Sequence, residues 1–149
     1  MHIRVHVPSQ TLDLLDEAGE VIRCYAISTS RHGIGTEPGS FKTPSGRFRI
    51  SEKIGDGAPA GEIFVSRVPT GKIGQEGDDH DHVQTRILWL DGLDEDNKNT
   101  HERYIYIHGT NTESRLGIPD SFGCVRMNNI DVIDLYNRVA AGTTVEIQP

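Results

Sequence analysis

Short apolar runs separated by turn residues dominate the chain, and most of them alternate in the two-residue rhythm of a half-buried strand. Ile3–Val7 and Val21–Ser28 read as early strands, with Asp16-Glu17-Ala18-Gly19-Glu20 as the turn between them. From Arg31 to Gly46, glycines and prolines leave no window for a helix, so this segment reads as a loop. Strand alternation returns at Gly46–Ile50, at Ile63–Val65 and, after a polar stretch from Gly71 to Gln84, at Thr85–Leu90. An acidic turn, Asp91–Asn99, leads to Arg103–His108, where β-branched and aromatic residues make the strongest strand signal.

One helix stands out near the C-terminus. Asn129 is the expected N-cap, Asp131 and Asp134 favour the positive helix start, and Gly142 is the expected stop. Ile130, Ile133, Tyr136, Val139 and Ala140 recur at helical spacing and are expected to form its apolar face. Thr143–Ile147 closes the chain as a strand. With 149 residues, no repeat and no linker, the pattern predicts a single domain over residues 1–149, mainly β, with one main helix.

Charge narrows the classes of partner. Fifteen Lys and Arg against 22 Asp and Glu give a net charge of −7, with no basic stripe, so nucleic acid is not an expected partner. No run approaches the roughly 18 apolar residues of a membrane span, and the N-terminus lacks the apolar stretch of an export signal. Nothing in the pattern speaks to oligomeric state. The two cysteines, Cys24 and Cys124, permit at most one disulfide; Cys24 falls in a strand pattern and is expected in the core.

One stretch carries chemistry above this background. His108-Gly109-Thr110 ends the strongest strand, and Ser121-Phe122-Gly123-Cys124-Val125-Arg126-Met127 follows a polar loop. A strand end can aim an imidazole, and glycine at 109 allows a sharp turn beside it. A thiol is a nucleophile at neutral pH only when a base or a positive field favours the thiolate, and His108 is the base at hand. Backbone N–H groups around Gly123 and Cys124 are candidate donors to an oxyanion. From residue types alone, a buried inert cysteine and a structural histidine are the commoner outcome.

The order of these residues resembles the YkuD-type catalytic domain of the bacterial L,D-transpeptidases. That family's signature is a strand ending in His-Gly, a variable loop, then Ser-x-Gly-Cys followed by Ile or Val and Arg. The N-terminal Gln10-Thr11-Leu12, the turn Thr43-Pro44-Ser45-Gly46-Arg47-Phe48, the helix at Asp131–Leu135 and the strand at Gly142–Val145 extend the resemblance over nearly the whole chain.

The resemblance implies an L,D-transpeptidase-like β-sandwich with the cysteine in a cleft. It makes Cys124 the nucleophile, His108 its base, and the Gly109 carbonyl the group that orients the imidazole. Arg126 would bind a substrate carboxylate or brace the cysteine turn, and Ser121 would shape the oxyanion site or hold that turn. Phe122 stands where many relatives carry histidine; it can offer an apolar wall but no proton. The implied reaction is acyl transfer between peptidoglycan stem peptides, releasing D-Ala and forming 3–3 cross-links, with no cofactor and no metal. Hydrolysis of the same acyl-enzyme and a non-catalytic wall-binding domain are the alternatives. The implied place is the bacterial cell envelope or periplasm, with the cytoplasm as the alternative because no export pattern is visible.

Other signals carry less. Gly33-Ile34-Gly35 lacks the spacing and the lysine of a phosphate loop. Asp78-Asp79-His80-Asp81-His82 holds metal-ligand residue types, with a metal-binding domain as the minor alternative, but reads first as a solvated acidic loop. Asp94-Glu95-Asp96-Asn97-Lys98 lacks the glycine of a calcium loop. Trp89, Tyr104 and Tyr106 fit sheet packing.

Overall fold

A computed structural model describes residues 1–149. Ten strands run β1 His2–His6, β2 Thr11–Leu15, β3 Val21–Ser28, β4 Gly46–Ile54, β5 Glu62–Val65, β6 Val68–Ile73, β7 Val83–Gly92, β8 Tyr106–Gly109, β9 Val125–Met127 and β10 Thr144–Gln148. A single α-helix, α1, spans Asn129–Arg138 between β9 and β10. The strands form one sheet in the order β4-β10-β1-β2-β3-β9-β8-β7-β5-β6, and β4 also pairs with β7. The two layers of the expected sandwich are therefore one sheet curled back on itself.

Alternation along the strands fills the interior. Ile3 and Val5, Leu12 and Leu14, Tyr25 and Ile27, Phe48 and Ile50, Leu88 and Leu90, and Val145 and Ile147 point inward from six strands. Val132, Leu135, Tyr136 and Val139 add the apolar stripe of α1 to the same core. This stripe differs from the expected one: Ile130 is exposed, and the buried positions run i, i+3, i+4, i+7 from Val132. The N-cap is Asn128, one residue before the expected position; its side chain accepts from the Ile130 and Asp131 N–H groups at 2.9 and 3.2 Å. The helix stops at Arg138, and Gly142, with φ of +92°, serves the turn into β10 rather than the helix end.

Three strands exceed the expectation from pattern. β2 occupies what had read as connection between β1 and β3; β6 contains Pro69 and Gly71 and lies wholly exposed at the end of the strand order, where proline is tolerated. β9 has three residues. The strongest predicted strand is shorter than its pattern. Tyr104 takes a left-handed φ of 57°, and the Arg103 guanidinium reaches the Lys42 carbonyl at 2.7 Å, so residues 103 and 104 belong to a turn. Cys24 is exposed: Tyr25 and Ile27 face inward, so period two turns Cys24 out beside Asp13. Both cysteines are free thiols.

Candidate active site

The site is built on the outer face of β7, β8 and β9. β8 and β9 run parallel in the register Ile107 with Val125 and His108 with Arg126, while antiparallel β7 sets Ile87 beside His108 and Trp89 beside Tyr106. Ile107, Val125 and Met127 enter the core, so their alternates Tyr106, His108 and Arg126 share the opposite face. Cys124 directly precedes β9 and packs against Phe64, Ile87, Trp89 and Tyr106, a small apolar cluster on this same face. Register alone thus brings together the histidine of one strand and the cysteine of the next.

His108 is almost wholly buried, and its Nδ1 lies 2.6 Å from the Gly109 carbonyl oxygen. A carbonyl only accepts, so Nδ1 carries the proton and Nε2 keeps its lone pair free. Burial holds the imidazole below the ordinary histidine range, against the opposing pull of Asp81 and of the Gly109 carbonyl; Arg126 lowers it further. The ring is neutral at pH 7.

Gly109 acts here by its size. It stays in β8, paired with Gln84 and Met127, and makes no sharp turn. A Cβ there would stand 2.5 Å from Asn129 Oδ1, 2.7 Å from the Gln84 carbonyl and 2.9 Å from Thr85 Oγ1. Asn129 ties this knot: its Oδ1 accepts from Thr85 Oγ1 at 2.6 Å and Gln84 Nε2 at 3.0 Å, and its Nδ2 donates to the Thr110 carbonyl at 2.9 Å.

The Cys124 thiol donates to the Tyr104 carbonyl at 3.4 Å and accepts from the Tyr106 N–H at 3.3 Å; no hydrogen bond joins it to His108. Although Cys124 is only partly covered, its packed surroundings push the thiol up to about 11, despite the Tyr106 N–H and the charges of Arg126 and Arg103. Asp81 pushes in the same upward direction. A thiol so placed is almost wholly protonated at pH 7 and needs a base.

The turn before Cys124 is held from several sides. Ser121 Oγ donates to the Cys124 carbonyl at 2.6 Å and accepts the Gly123 N–H at 3.3 Å. Gly123, at φ of +128°, is buried, and its carbonyl takes Thr43 Oγ1 at 2.9 Å. The Cys124 and Phe122 N–H groups have no protein acceptor, which leaves both as open donors of this turn. Phe122 is exposed; the Arg31 guanidinium lies 4.4 Å above its ring, and Phe41 meets it edge-on at 6.1 Å. Phe41 itself is exposed in a left-handed conformation, φ 59°. Together with Arg103 and Ile105 these two rings line a cavity of about 300 Å³ beside the cysteine turn.

Arg126 is buried beneath the site. Its Nη1 donates to Asp120 at 2.7 Å and to Thr112 Oγ1 at 3.2 Å, and its Nη2 meets Asp81 at 2.8 Å. Across the face, Arg67 at the tip of the β5–β6 hairpin donates to the Tyr106 hydroxyl at 3.1 Å and lies 4.7 Å over the Trp89 ring. Sequence reasoning missed Asp81, Asp120, Arg67 and Asn129 as neighbours of this site. Asp81 lay inside a stretch set aside as a solvated loop; the loop is in fact pinned, with Asn111 Nδ2 donating to the His80 carbonyl at 2.7 Å and the His82 N–H donating to Asn111 Oδ1 at 3.0 Å. No three His, Cys, Asp or Glu side chains gather closely enough to hold a metal ion.

The family model of the L,D-transpeptidase catalytic domain, YkuD, matches residues 1–147. The chain belongs to that family. YkuD of Bacillus subtilis, assigned as an L,D-transpeptidase, is 51% identical over 98 residues, covering 64% of this chain and 48% of its own. YqjB of the same organism, assigned likewise, is 44% identical over 52 residues, 35% of this chain and 30% of its own. This L,D-transpeptidase domain therefore spans less than half the length of those curated relatives. Among solved structures, an L,D-transpeptidase from Mycobacterium smegmatis superposes with a TM-score of 0.64 at 16% identity, covering 99% of this chain and 58% of that one. The C442S mutant of the Enterococcus faecium L,D-transpeptidase gives 0.62 at 17% identity, covering 99% and 49%. At such identities the structures share the fold with this L,D-transpeptidase domain.

Proposed function

We propose that this domain performs cysteine-dependent acyl transfer on peptidoglycan stem peptides, with Cys124 as nucleophile and His108 as base. The observation that carries the reading is the bond from His108 Nδ1 to the Gly109 carbonyl, which leaves Nε2 free on the face that carries Cys124. The reaction begins when the thiol leaves the Tyr104 carbonyl and gives its proton to Nε2. The thiolate attacks the carbonyl of the third residue of a tetrapeptide donor, an L-centre, and the Cys124 N–H donates to the oxyanion. Terminal D-Ala leaves with the proton from His108, and a thioester remains. The side-chain amine of a second stem then loses a proton to His108 and displaces Cys124, forming a 3–3 cross-link.

In this reading Gly109 orients the base, Ser121 and Gly123 hold the cysteine turn, and Arg126, already paired by two carboxylates, braces that turn. Phe122, backed by Arg31, offers the donor an apolar wall. The family is associated with the cell wall, and the substrate places the reaction in the bacterial cell envelope; no helix is long and apolar enough to cross a membrane.

The test is intact-mass spectrometry with a tetrapeptide stem, alongside Cys124→Ala. An acyl adduct, loss of D-Ala and a cross-linked dimer are expected from the wild type and from none of the variant. Tripeptide without dimer would make the enzyme an L,D-carboxypeptidase. Wild type that behaves like Cys124→Ala, with neither adduct nor product, would leave a wall-binding domain.

A further inference from the structure

The acidic stretch Asp78–His82 has no part in the reaction just described, yet it delivers one carboxylate to the floor of the site. Asp81 meets Arg126 Nη2 at 2.8 Å, and the loop that carries it is fastened through Asn111, itself buried. Arg126 is the direct cross-strand neighbour of His108. A buried guanidinium in that position opposes any positive charge on the imidazole. Asp120 cannot neutralise it alone, because Asp120 also faces Arg31 and Arg115, each at 3.4 Å. Asp81 has no other basic partner.

We propose that Asp81 is a positioning residue of the acyl transfer: it completes the neutralisation of Arg126, so that the imidazolium formed beside it is matched by a carboxylate. The inference rests on His108 serving as the base. In the proton step the S–H bond breaks, Nε2 binds the proton, and nothing else is consumed. While substrate is absent, the same carboxylate disfavours the thiolate, which keeps the proton on sulphur. Once the thiolate is spent in the acyl bond, only the imidazolium remains, and Asp81 holds it ready to protonate the leaving amine.

The charged and hydrogen-bonding groups acting on the two reactive atoms are few. His108 has Asp81, Arg126 and the Gly109 carbonyl; Cys124 has Asp81, Arg126, Arg103 and the Tyr106 N–H. Asp81 raises both, so its removal lowers both.

The experiment is Asp81→Asn in the whole domain, with Asp81→Glu as the conservative companion. The His108 imidazole is titrated by NMR, and Cys124 by the pH dependence of iodoacetamide alkylation in a background of Cys24→Ser. In Asp81→Asn both midpoints are expected to fall by at least about half a pH unit, and turnover of a tetrapeptide stem about tenfold or more. Asp81→Glu is expected to restore most of each shift. Unmoved midpoints with reduced turnover would overturn the proposal and make Asp81 a loop anchor. Midpoints that move with turnover unchanged would overturn the catalytic consequence. Both midpoints are read without substrate, so a wild type inactive on stems would count against the acyl-transfer reading while the titrations still judge Asp81.

Discussion

The two faces of the β7–β8–β9 segment are built from the same backbone and do opposite things. Inward, Leu88, Leu90, Ile107, Val125 and Met127 belong to the main apolar core and are wholly buried. Outward, Ile87, Trp89, Tyr106, His108 and Arg126 are nearly as well covered, with Cys124 partly covered beside them, but this face mixes apolar packing with titratable groups. Burial is thus no guide to role in this sheet. What separates the faces is that the outer one buries polar groups and gives their main atoms partners: His108 Nδ1 has the Gly109 carbonyl, and the two terminal nitrogens of Arg126 have two carboxylates. Because strand alternation has period two, a slip of one residue would exchange the faces, placing a guanidinium in the core and Ile107 at the site.

Neighbouring substitutions should break this comparison most sharply. Ile107→Ala removes a fully buried side chain from the inner face and is expected to cost about 2–5 kcal/mol of stability. The alkylation profile of Cys124 in the folded protein should stay as in wild type, which denaturant titration and alkylation together would check. His108→Gln, one residue on, is expected to do the reverse, lowering stem turnover at least about 10²-fold with a much smaller change in stability. Equal losses of stability from the two would show that the outer face is core by another name.

Gly109→Ala probes the seam between the faces. Its Cβ would strike Asn129 Oδ1, the Gln84 carbonyl and Thr85 Oγ1, two of them tied into a hydrogen-bonded knot. The expected cost is about 1–3 kcal/mol, with slower turnover because the carbonyl that orients His108 moves with it. A variant as stable as wild type in a thermal melt would show that the knot yields freely.

The smallest expected effect is in pH dependence. The folded imidazole sits below its ordinary value of 6.5, so the unfolded chain takes up this proton first as pH falls. Stability is therefore expected to decline as pH drops from about 6.5 toward the folded value, and His108→Gln should flatten that part of the curve. The thiol behaves oppositely: raised from 9.0 to about 11, it costs stability as pH climbs through that interval, and Cys124→Ala should remove the loss. Urea midpoints measured across both ranges, at constant ionic strength, decide each arm.

How much of this was legible in the sequence follows from the range of each interaction. Ile107-His108-Gly109 and Ser121-x-Gly123-Cys124 are contiguous, and each carries its own reason: an alternating strand, a small residue, a constrained turn. Inward-facing Phe48, Leu88 and Leu90 were readable for the same cause. Asp81 was not, because nothing in an acidic loop announces a buried arginine on a distant strand. The face of α1 was misplaced by counting Ile130, an apolar residue that the helix start leaves in water. Cys24 was misplaced by residue type, although Tyr25 and Ile27 beside it already assigned the opposite face. β6 escaped because an edge strand needs no apolar rhythm when no second layer covers it.

That edge has a consequence for the domain in concentrated surroundings. Every residue of β6 is exposed, and the strand pairs only with β5, so its outer rim resembles a template on which another molecule could lay a strand. Pro69 interrupts the row of donors, Lys72 sets a charge on it, and the Ser66–Arg67 turn folds tightly at its head. The rim is inhospitable to fibril-like stacking. A net charge of −7 adds repulsion between molecules, so crowding works against self-assembly along the one strand that hangs free of the closed sheet.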